Sequence, residues 1–474
     1  MTRSKKRAHL IGICGAGMSA LALLLKESGW QITGSDNNFY EPISGHLKKN
    51  KISFFKKYNT GNIPKNVDLI VIGKHANLTP ESNEEVAQAF KLKVEKKSLP
   101  EVLAMLSKNK RSLVVAGSFG KSTCTGLVAW SLLKARKDPS YFIGAVPIGF
   151  NKSSHLGKGK EFVLEGDEYP SSNWDKKSKF LHLVPSSILL TSVEHDHKNI
   201  FKTEKSYKEP YKKLVARIQR GGLLVYSLGA KNTKEVVKYA KCKTVSYALT
   251  NKGAHWYAQN IKYGVETSFD LIHKGKRIIN IKTKLLGKHN IENIIGAGAL
   301  VLENKIISPV DFAKTVKSFQ GIKRRIELLT RKSSVLVYEG FGSSYAKAKS
   351  VFDALKLHFP DKKIITIFEP HTFSWRNAGA KRWYKDIFKT SKKVIILPPP
   401  SHGQDTHDQM SFSQIVKEVK KNHRETYGTK NVKEALKIIK KETKKDDIIV
   451  LMSSGSFLGL TSSVPKLMEK MFPR

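Results

Sequence analysis

Ser112-Leu-Val-Val-Ala116-Gly117-Ser118-Phe119-Gly120-Lys121-Ser122-Thr123 passes from an apolar run into two glycines, a lysine and two hydroxyl residues. The apolar run reads as a buried strand, and the apolar stretch Leu127–Leu133 that follows reads as a helix. Glycines between a strand and a helix let backbone N–H groups turn inward around a phosphate. A lysine at the helix start meets the β and γ phosphate oxygens, and the next hydroxyl can hold a divalent cation. The two glycines stand closer together than in the general phosphate loop. A strand, a phosphate loop and a helix in this order predict nucleotide binding on a parallel α/β sheet.

Upstream, short apolar runs alternate with helical patterns. His9–Gly12 reads as a strand, Met18–Ser28 as a helix, and Trp30–Gly34 and Asp68–Gly73 as further strands. The first strand-to-helix turn is Gly12-Ile-Cys-Gly15-Ala16-Gly17-Met18-Ser19, and Ser35 and Asp36 end the second strand. Its G-x-x-G-x-G spacing departs from the dinucleotide fingerprint G-x-G-x-x-G, but a diphosphate on a helix N-terminus suits it. Downstream, Phe162-Val-Leu-Glu165-Gly-Asp167-Glu168 and Ser187–Glu194-His195-Asp196-His197 put carboxylates and imidazoles where strands end. Ligands gather there in open α/β sheets. Glu165 is a candidate Mg2+ ligand with Ser122 and His197, while His195 reads as part of a polar turn. Gly287-Lys-His289-Asn290-Ile-Glu-Asn293 opens an apolar helix, where the asparagines are either caps or readers of a base. Strands are also expected at 262–285, 334–338, 363–368, 393–397 and 447–452. The expected fold is α/β in three domains: 1–107 Rossmann-like, 108–320 central with a parallel sheet and the phosphate loop, and 321–474 Rossmann-like again.

The chain of 474 residues carries 84 Lys and Arg against 40 Asp and Glu, a formal charge of +44. The lysines are spread along its length, so they read as a solvated surface that favours anionic substrates, with no nucleic acid required. Cys14, Cys124 and Cys242 match no zinc or redox spacing and read as free thiols of a reducing cytoplasm. Arg3, Lys5, Lys6 and Arg7 before an uncharged stretch resemble a signal peptide, but Gly12, Gly15 and Gly17 interrupt it. A cytoplasmic protein without membrane segments is expected, and a monomer.

These motifs, in this order, resemble the Mur ligase family. Gly12–Ser19 with Gly34–Asp36 is similar to its UDP-binding domain, Gly117–Thr123 to its G-T-H-G-K-T-T loop, and Glu194–His197 to its E-x-D-H element. Gly287–Asn293 is similar to G-x-H-N-x-x-N, and Phe319–Glu327 with Phe368-Glu-Pro-His371 to its third domain. The resemblance implies an ATP- and Mg2+-dependent ligase that forms an amide on UDP-N-acetylmuramate through an acyl phosphate. It places Gly117, Ser118, Gly120, Lys121, Ser122 and Thr123 on the ATP phosphates, and His289, Asn290 and Asn293 on the adenine. Ser122, Glu165 and His197 go to metal. Arg325, with Arg324, goes to the transferred phosphoryl group as the third domain closes. Gly15, Ala16, Gly17, Met18, Ser19, Ser35 and Asp36 go to the UDP-sugar.

Within the family, Glu165-Gly-Asp-Glu-Tyr169 followed by Asp175-Lys-Lys-Ser-Lys-Phe180 is similar to the branch whose pattern is E-A-D-E-Y-D…F-D-K-R-S-K-F. That branch attaches recycled L-alanyl-γ-D-glutamyl-meso-diaminopimelate during peptidoglycan recycling. Lys176, Lys179 and His371 are then expected on the peptide. The alternatives are addition of L-alanine and an impaired nucleotide-binding homologue. The chain departs from the family at Ser118-Phe119, and at Val337-Tyr-Glu339-Gly340-Phe-Gly342-Ser343-Ser344, where V-Y-D-D-F-A-H-H is usual. Weak ATP binding is expected from the second departure. Restoring Asp at 340 with His at 343 and 344 is expected to lower the ATP requirement.

Overall fold

The computed structural model describes residues 5–39, 43–197, 200–400 and 409–474; Arg3 lies outside them. Its strands fall where apolar runs are continuous, because a parallel strand covered on both faces is apolar throughout. The first sheet contains β1 (Arg7–Ile11), β2 (Gln31–Ser35), β3 (Ser53–Phe55), β4 (Leu69–Ile72) and β5 (Glu95–Lys97), in the order β3-β2-β1-β4-β5. Every recorded pairing in it is parallel. The stretch that resembled a signal peptide is β1 and the helix Ala16–Glu27. Among the described residues no helix is long and apolar enough to cross a membrane.

The second sheet has ten strands: β6 (Arg111–Ala116), β7 (Ser140–Phe142), β8 (Ser154–His155), β9 (Glu161–Gly166), β10 (Ser187–Leu190), β11 (Leu223–Ser227), β12 (Lys243–Tyr247), β13 (Trp256–Lys262), β14 (Thr267–His273) and β15 (Lys276–Thr283). β6 lies between β9 and β10, with Ala116 level with Gly166 on one side and Leu190 on the other. The loops after these three parallel strands therefore leave the sheet side by side. The central strand residues Leu113–Ala116, Phe162–Leu164 and Ile188–Leu190 are fully buried, each large apolar side chain contributing roughly 1.5–3 kcal/mol.

The chain divides into two compact units. One runs to Ile261 with Ser268–Thr283 and His289–Gln320, and holds the first two sheets. These share a single apolar core, in which Leu21, Leu24 and Leu103 join Phe180, Leu183 and Tyr211. The first two domains read from sequence are thus packed as one body.

The other unit is Lys262–Thr267, Lys284–Lys288 and Gly321–Arg474. It holds β16 (Arg325–Leu328), β17 (Leu336–Phe341), β18 (Ile364–Phe368), β19 (Ser391–Ile396), β20 (Thr426–Gly428) and β21 (Ile448–Ser453), in the order β16-β17-β21-β18-β19-β20. Only β16 runs antiparallel to its neighbour among the recorded pairs. The packing around Gly340 bears on the restoration expected there. A Cβ on Gly340 would stand 3.1 Å from Val351 Cγ2 and 3.3 Å from Met452 Cε, and one on Gly342 only 2.5 Å from Met452 Sδ. Met452 thus fills the space beside both glycines. A carboxylate at 340 would enter an apolar layer, so Gly340→Asp alone should destabilise the protein by about 1–3 kcal/mol, read as a lower unfolding midpoint in urea.

Candidate active site

The phosphate loop is formed by backbone that only glycine adopts freely. Gly117 has φ 138°, and a Cβ there would sit 2.1 Å from Thr191 Oγ1; Gly120 has φ 81° and caps the helix Lys121–Lys134. The helix begins at Lys121 rather than near Leu127, because Lys121–Thr123 form its first turn. Thr191 Oγ1 donates to the Phe119 carbonyl at 2.5 Å, and Ser192 Oγ accepts from Phe119 N at 3.2 Å. Ser118, which stands where the family has threonine, donates to the Glu194 carbonyl at 2.6 Å. Phe119 is exposed.

Lys121 Nζ donates to the Gly117 carbonyl at 2.7 Å and to Glu168 Oε2 at 2.9 Å. Burial alone would lower its pKa, but Glu168, Asp167 and Glu165 together raise it, so it is an ammonium ion. Ser122 Oγ donates to Glu165 Oε1 at 2.8 Å, and Gly144 N to Oε2 at 2.7 Å. Burial, then the neighbouring Asp167, pushes the Glu165 carboxyl up. Such a group gains from a cation.

Glu168 is fully buried and carries more contacts than the sequence foretold. His197 Nε2 stands 3.3 Å from its Oε1, and the Tyr207 hydroxyl donates to the same oxygen at 3.3 Å. Burial would raise Glu168, but His197 and Lys121 hold it down to about 2. His197 is raised in turn, chiefly by its contact with Glu168. The recorded contacts therefore join Ser122 to Glu165, and His197 to Glu168. His195 Nε2 lies 2.8 Å from the Phe201 carbonyl, as a residue closing a polar turn would.

Among the described residues, no three His, Cys, Asp or Glu side chains are grouped to hold an ion by themselves. Mg2+ suits such a place nonetheless, since it takes one or two protein oxygens and completes its shell with phosphate oxygens and water. The donor set of Glu165 and Ser122 fits that chemistry. Asn290 and Asn293 are buried at the start of the helix Lys288–Glu303, with His289 beside them. Asn293 Oδ1 accepts from Cys124 Sγ at 3.4 Å and stands 2.5 Å from where a Gly120 Cβ would be. Its amide thus lies against Gly120 and donates to Asn290 Oδ1 at 3.3 Å.

In the first sheet, Gly15 caps the helix carrying Ala16, Gly17, Met18 and Ser19. Met18 and Ser19 are buried, and Ser19 Oγ donates to the Ala16 carbonyl at 3.0 Å. Asp36 accepts from Cys14 N at 2.9 Å and the Tyr58 hydroxyl at 3.3 Å. Ser35 is buried, its hydroxyl on Glu85 Oε1 at 2.6 Å and its carbonyl accepting from Gly12 N and Ile13 N. Its hydroxyl and carbonyl thus brace this turn beside Asp36.

The loop after β9 reaches the first sheet. Lys74 Nζ donates to the Pro170 carbonyl at 2.9 Å, and Asn173 Nδ2 to the His75 and Leu78 carbonyls at 2.8 and 2.9 Å. Lys176 is exposed there, and Lys179 lies 4.3 Å over the Tyr169 ring and 3.6 Å from Asp167.

In the other unit, Arg324 binds Glu339 Oε1 at 2.8 Å and the Gly455 carbonyl, while Arg325 is exposed on β16. His371 Nδ1 lies 3.4 Å from Ser454 Oγ. Glu339, where the family has Asp, thus has its partner within the unit.

Three family profiles match in succession: Mur ligase family, catalytic domain, over residues 7–111; Mur ligase middle domain over 115–301; and Mur ligase, glutamate ligase domain, over 324–455. The UDP-N-acetylmuramate–L-alanine ligase of Dictyoglomus turgidum is 30% identical over 95% of this chain and 94% of its own. The UDP-N-acetylmuramate–L-alanyl-γ-D-glutamyl-meso-2,6-diaminoheptandioate ligase of Escherichia coli is 27% identical over 96% of both chains. The crystal structure of UDP-N-acetylmuramate–alanine ligase from Thermotoga maritima superposes with a TM-score of 0.78 at 19% identity, over 98% of this chain and 99% of that one.

Proposed function

The chain belongs to the Mur ligase family of ATP-dependent amide ligases, and on that premise we propose that it joins L-alanyl-γ-D-glutamyl-meso-diaminopimelate to UDP-N-acetylmuramate in the cytoplasm. The observation that carries the choice of acceptor is the loop Tyr169–Phe180. It follows directly on Glu165 and Glu168, and it presents Lys176 and Lys179 to the extra carboxylates of a tripeptide.

ATP first phosphorylates the muramyl carboxylate, giving an acyl phosphate and ADP. The α-amine of the peptide then attacks the acyl carbon, and the tetrahedral intermediate collapses to the amide with loss of phosphate. Gathering the reactants and stabilising charge accounts for most of the rate. Lys121 and the loop Gly117–Thr123, with Ser118, Gly120 and Ser122, bind the phosphates. Glu165 and Ser122, with His197, would hold Mg2+, which when bound would supply positive charge against the developing phosphate charge. His289, Asn290 and Asn293 receive the adenine side of the nucleotide, and Arg325 the transferred phosphoryl. Gly15–Ser19 with Ser35 and Asp36 take the UDP-sugar, and His371 joins the lysines on the peptide.

The test is phosphate release with UDP-N-acetylmuramate, offering tripeptide and L-alanine in parallel. The tripeptide should have the higher kcat/KM by about a hundredfold or more. Lys179→Glu should raise the KM for the peptide about tenfold, or ~1.4 kcal/mol, and leave UDP-sugar affinity unchanged. The second reading, L-alanine as acceptor, is favoured by the likeness to L-alanine-adding relatives. Preference for L-alanine in this assay would establish it.

A further inference from the structure

We propose that Glu168 is a positioning residue of the phosphate site, fixing Lys121 and His197 together on one buried carboxylate. The proposal rests on the ligase reading and goes beyond it, since that reading gives Glu168 no part.

Three donors from three separate segments converge on this side chain. Lys121 comes from the phosphate loop, His197 from the loop after β10, and Tyr207 from the helix Glu204–Ala216. Oε2 accepts Lys121, and Oε1 takes both His197 and Tyr207. The Tyr207 hydroxyl also lies 2.9 Å from Ser118 Oγ and 3.2 Å from the Tyr211 hydroxyl, so the network returns to the phosphate loop. Glu168 has no exposed surface, so no water competes for its oxygens.

Both residues it holds would wander without it. A lysine side chain has large rotamer freedom, which is lost on fixing the ammonium at one place. His197 has a left-handed backbone, φ 51°, uncommon for a residue with a side chain. Its ring touches Glu168 and packs edge-on against Tyr169 at 5.5 Å. One carboxylate thus sets both a phosphate-binding cation and a proposed metal ligand before substrate arrives, and outer carboxylates that orient a ligating histidine commonly matter tenfold or more for metal affinity.

The count of acceptors gives the test. Glu168→Gln keeps the shape but turns one oxygen into an NH2 group, which must face either the Lys121 ammonium or the His197 and Tyr207 side. At least one donor loses its acceptor. Glu168→Asp keeps both oxygens but on a shorter stem.

The full-length wild-type protein and both variants would be titrated with Mn2+ and a non-hydrolysable ATP analogue, followed by calorimetry and by the Mn2+ electron paramagnetic resonance signal. UDP-N-acetylmuramate binding serves as the check on folding. Glu168→Gln should weaken Mn2+–analogue binding by about tenfold or more, with UDP-sugar affinity within twofold of wild type. Glu168→Asp should fall between. In turnover, the KM for ATP should rise more than kcat falls. Unchanged or tighter binding in Glu168→Gln, with UDP-sugar binding intact, would overturn the proposal, because Glu168 would then only sequester Lys121. If Glu168→Gln does not fold, full wild-type affinity in Glu168→Asp would overturn it as well. A wild-type protein that binds no analogue would overturn the ligase reading along with it.

Discussion

Lys121→Ala should reduce phosphate release from ATP by about 10³-fold or more while the affinity for the UDP-sugar stays within a factor of two. The ammonium stands over the phosphate loop, 2.7 Å from the Gly117 carbonyl, and no other cation is recorded on that loop. The turn Gly12–Ser19 belongs to a different sheet, so its ligand should not sense the change. Lys121→Arg should not rescue, because the space between Gly117 and Glu168 admits a point charge rather than a planar fork. The assay is coupled phosphate release with direct UDP-sugar binding on the same samples. Activity within tenfold of wild type would remove the loop from the reaction.

Glu85→Ala should lower the stability of the first sheet by about 3–5 kcal/mol. This carboxylate is fully buried, yet it lies 2.7 Å from His9 Nε2 and accepts from Ser35 Oγ, Asn59 N and Asn62 Nδ2 at 2.6, 2.8 and 2.8 Å. Truncation would leave the buried His9 ring and Ser35 hydroxyl without this acceptor, the costly part of the loss, while Asn59 and Asn62 stand nearer solvent. Burial acts to raise the Glu85 pKa, but the hydrogen bonds from His9, Ser35, Asn59 and Asn62 outweigh it and bring it below its ordinary 4.5. A depressed carboxylate contributes stability that is present above its unfolded value and is lost as pH falls through its folded value. Wild type should therefore lose this stability as pH drops below about 4.5, and the alanine variant should show a shallower acid dependence there. Parallel urea melts from pH 7 downward would measure both. A midpoint unchanged by the substitution would contradict the assignment.

Much of the architecture was legible because parallel strands announce themselves. Leu69–Ile72, Leu113–Ala116, Ile188–Leu190 and Ile448–Met452 are uninterrupted apolar runs, and each is a strand. The phosphate loop was legible because its glycines and lysine answer a demand of backbone geometry and charge. Other features depend on contacts between distant segments. Glu84 and Glu85 stand in the first turn of the helix Glu84–Lys91, and only the fold brings His9 and Ser35 to the second of them. Likewise Glu165, Asp167 and Glu168 form one acidic run in sequence, yet the pleat and the following turn send Glu165 to Ser122 and Glu168 to Lys121. Tyr207 and Tyr211 are one turn apart on the helix Glu204–Ala216, and only the fold brings the Tyr207 hydroxyl to Glu168. At the Gly340 segment a motif comparison sees a missing carboxylate, and only the fold shows Val351 and Met452 packed against that position.

The hydrogen bonds of Asn173 bear on how this chain could change over generations. Both go to main-chain carbonyls, those of His75 and Leu78, so they do not depend on which side chains occupy those two positions. The exposed side chains of residues 75–77 can change in identity while the attachment persists, whereas Leu78 is fixed by its packing with Ile11 and Ile72. The loop that follows β9 is therefore a transplantable module: a segment from a relative with another acceptor, grafted between Tyr169 and Phe180 with its asparagine retained, would find its anchor already in place. Selectivity for the amino component could then drift through one short stretch, with Phe90, which packs edge-on against Trp174, as a side chain outside it that the loop meets.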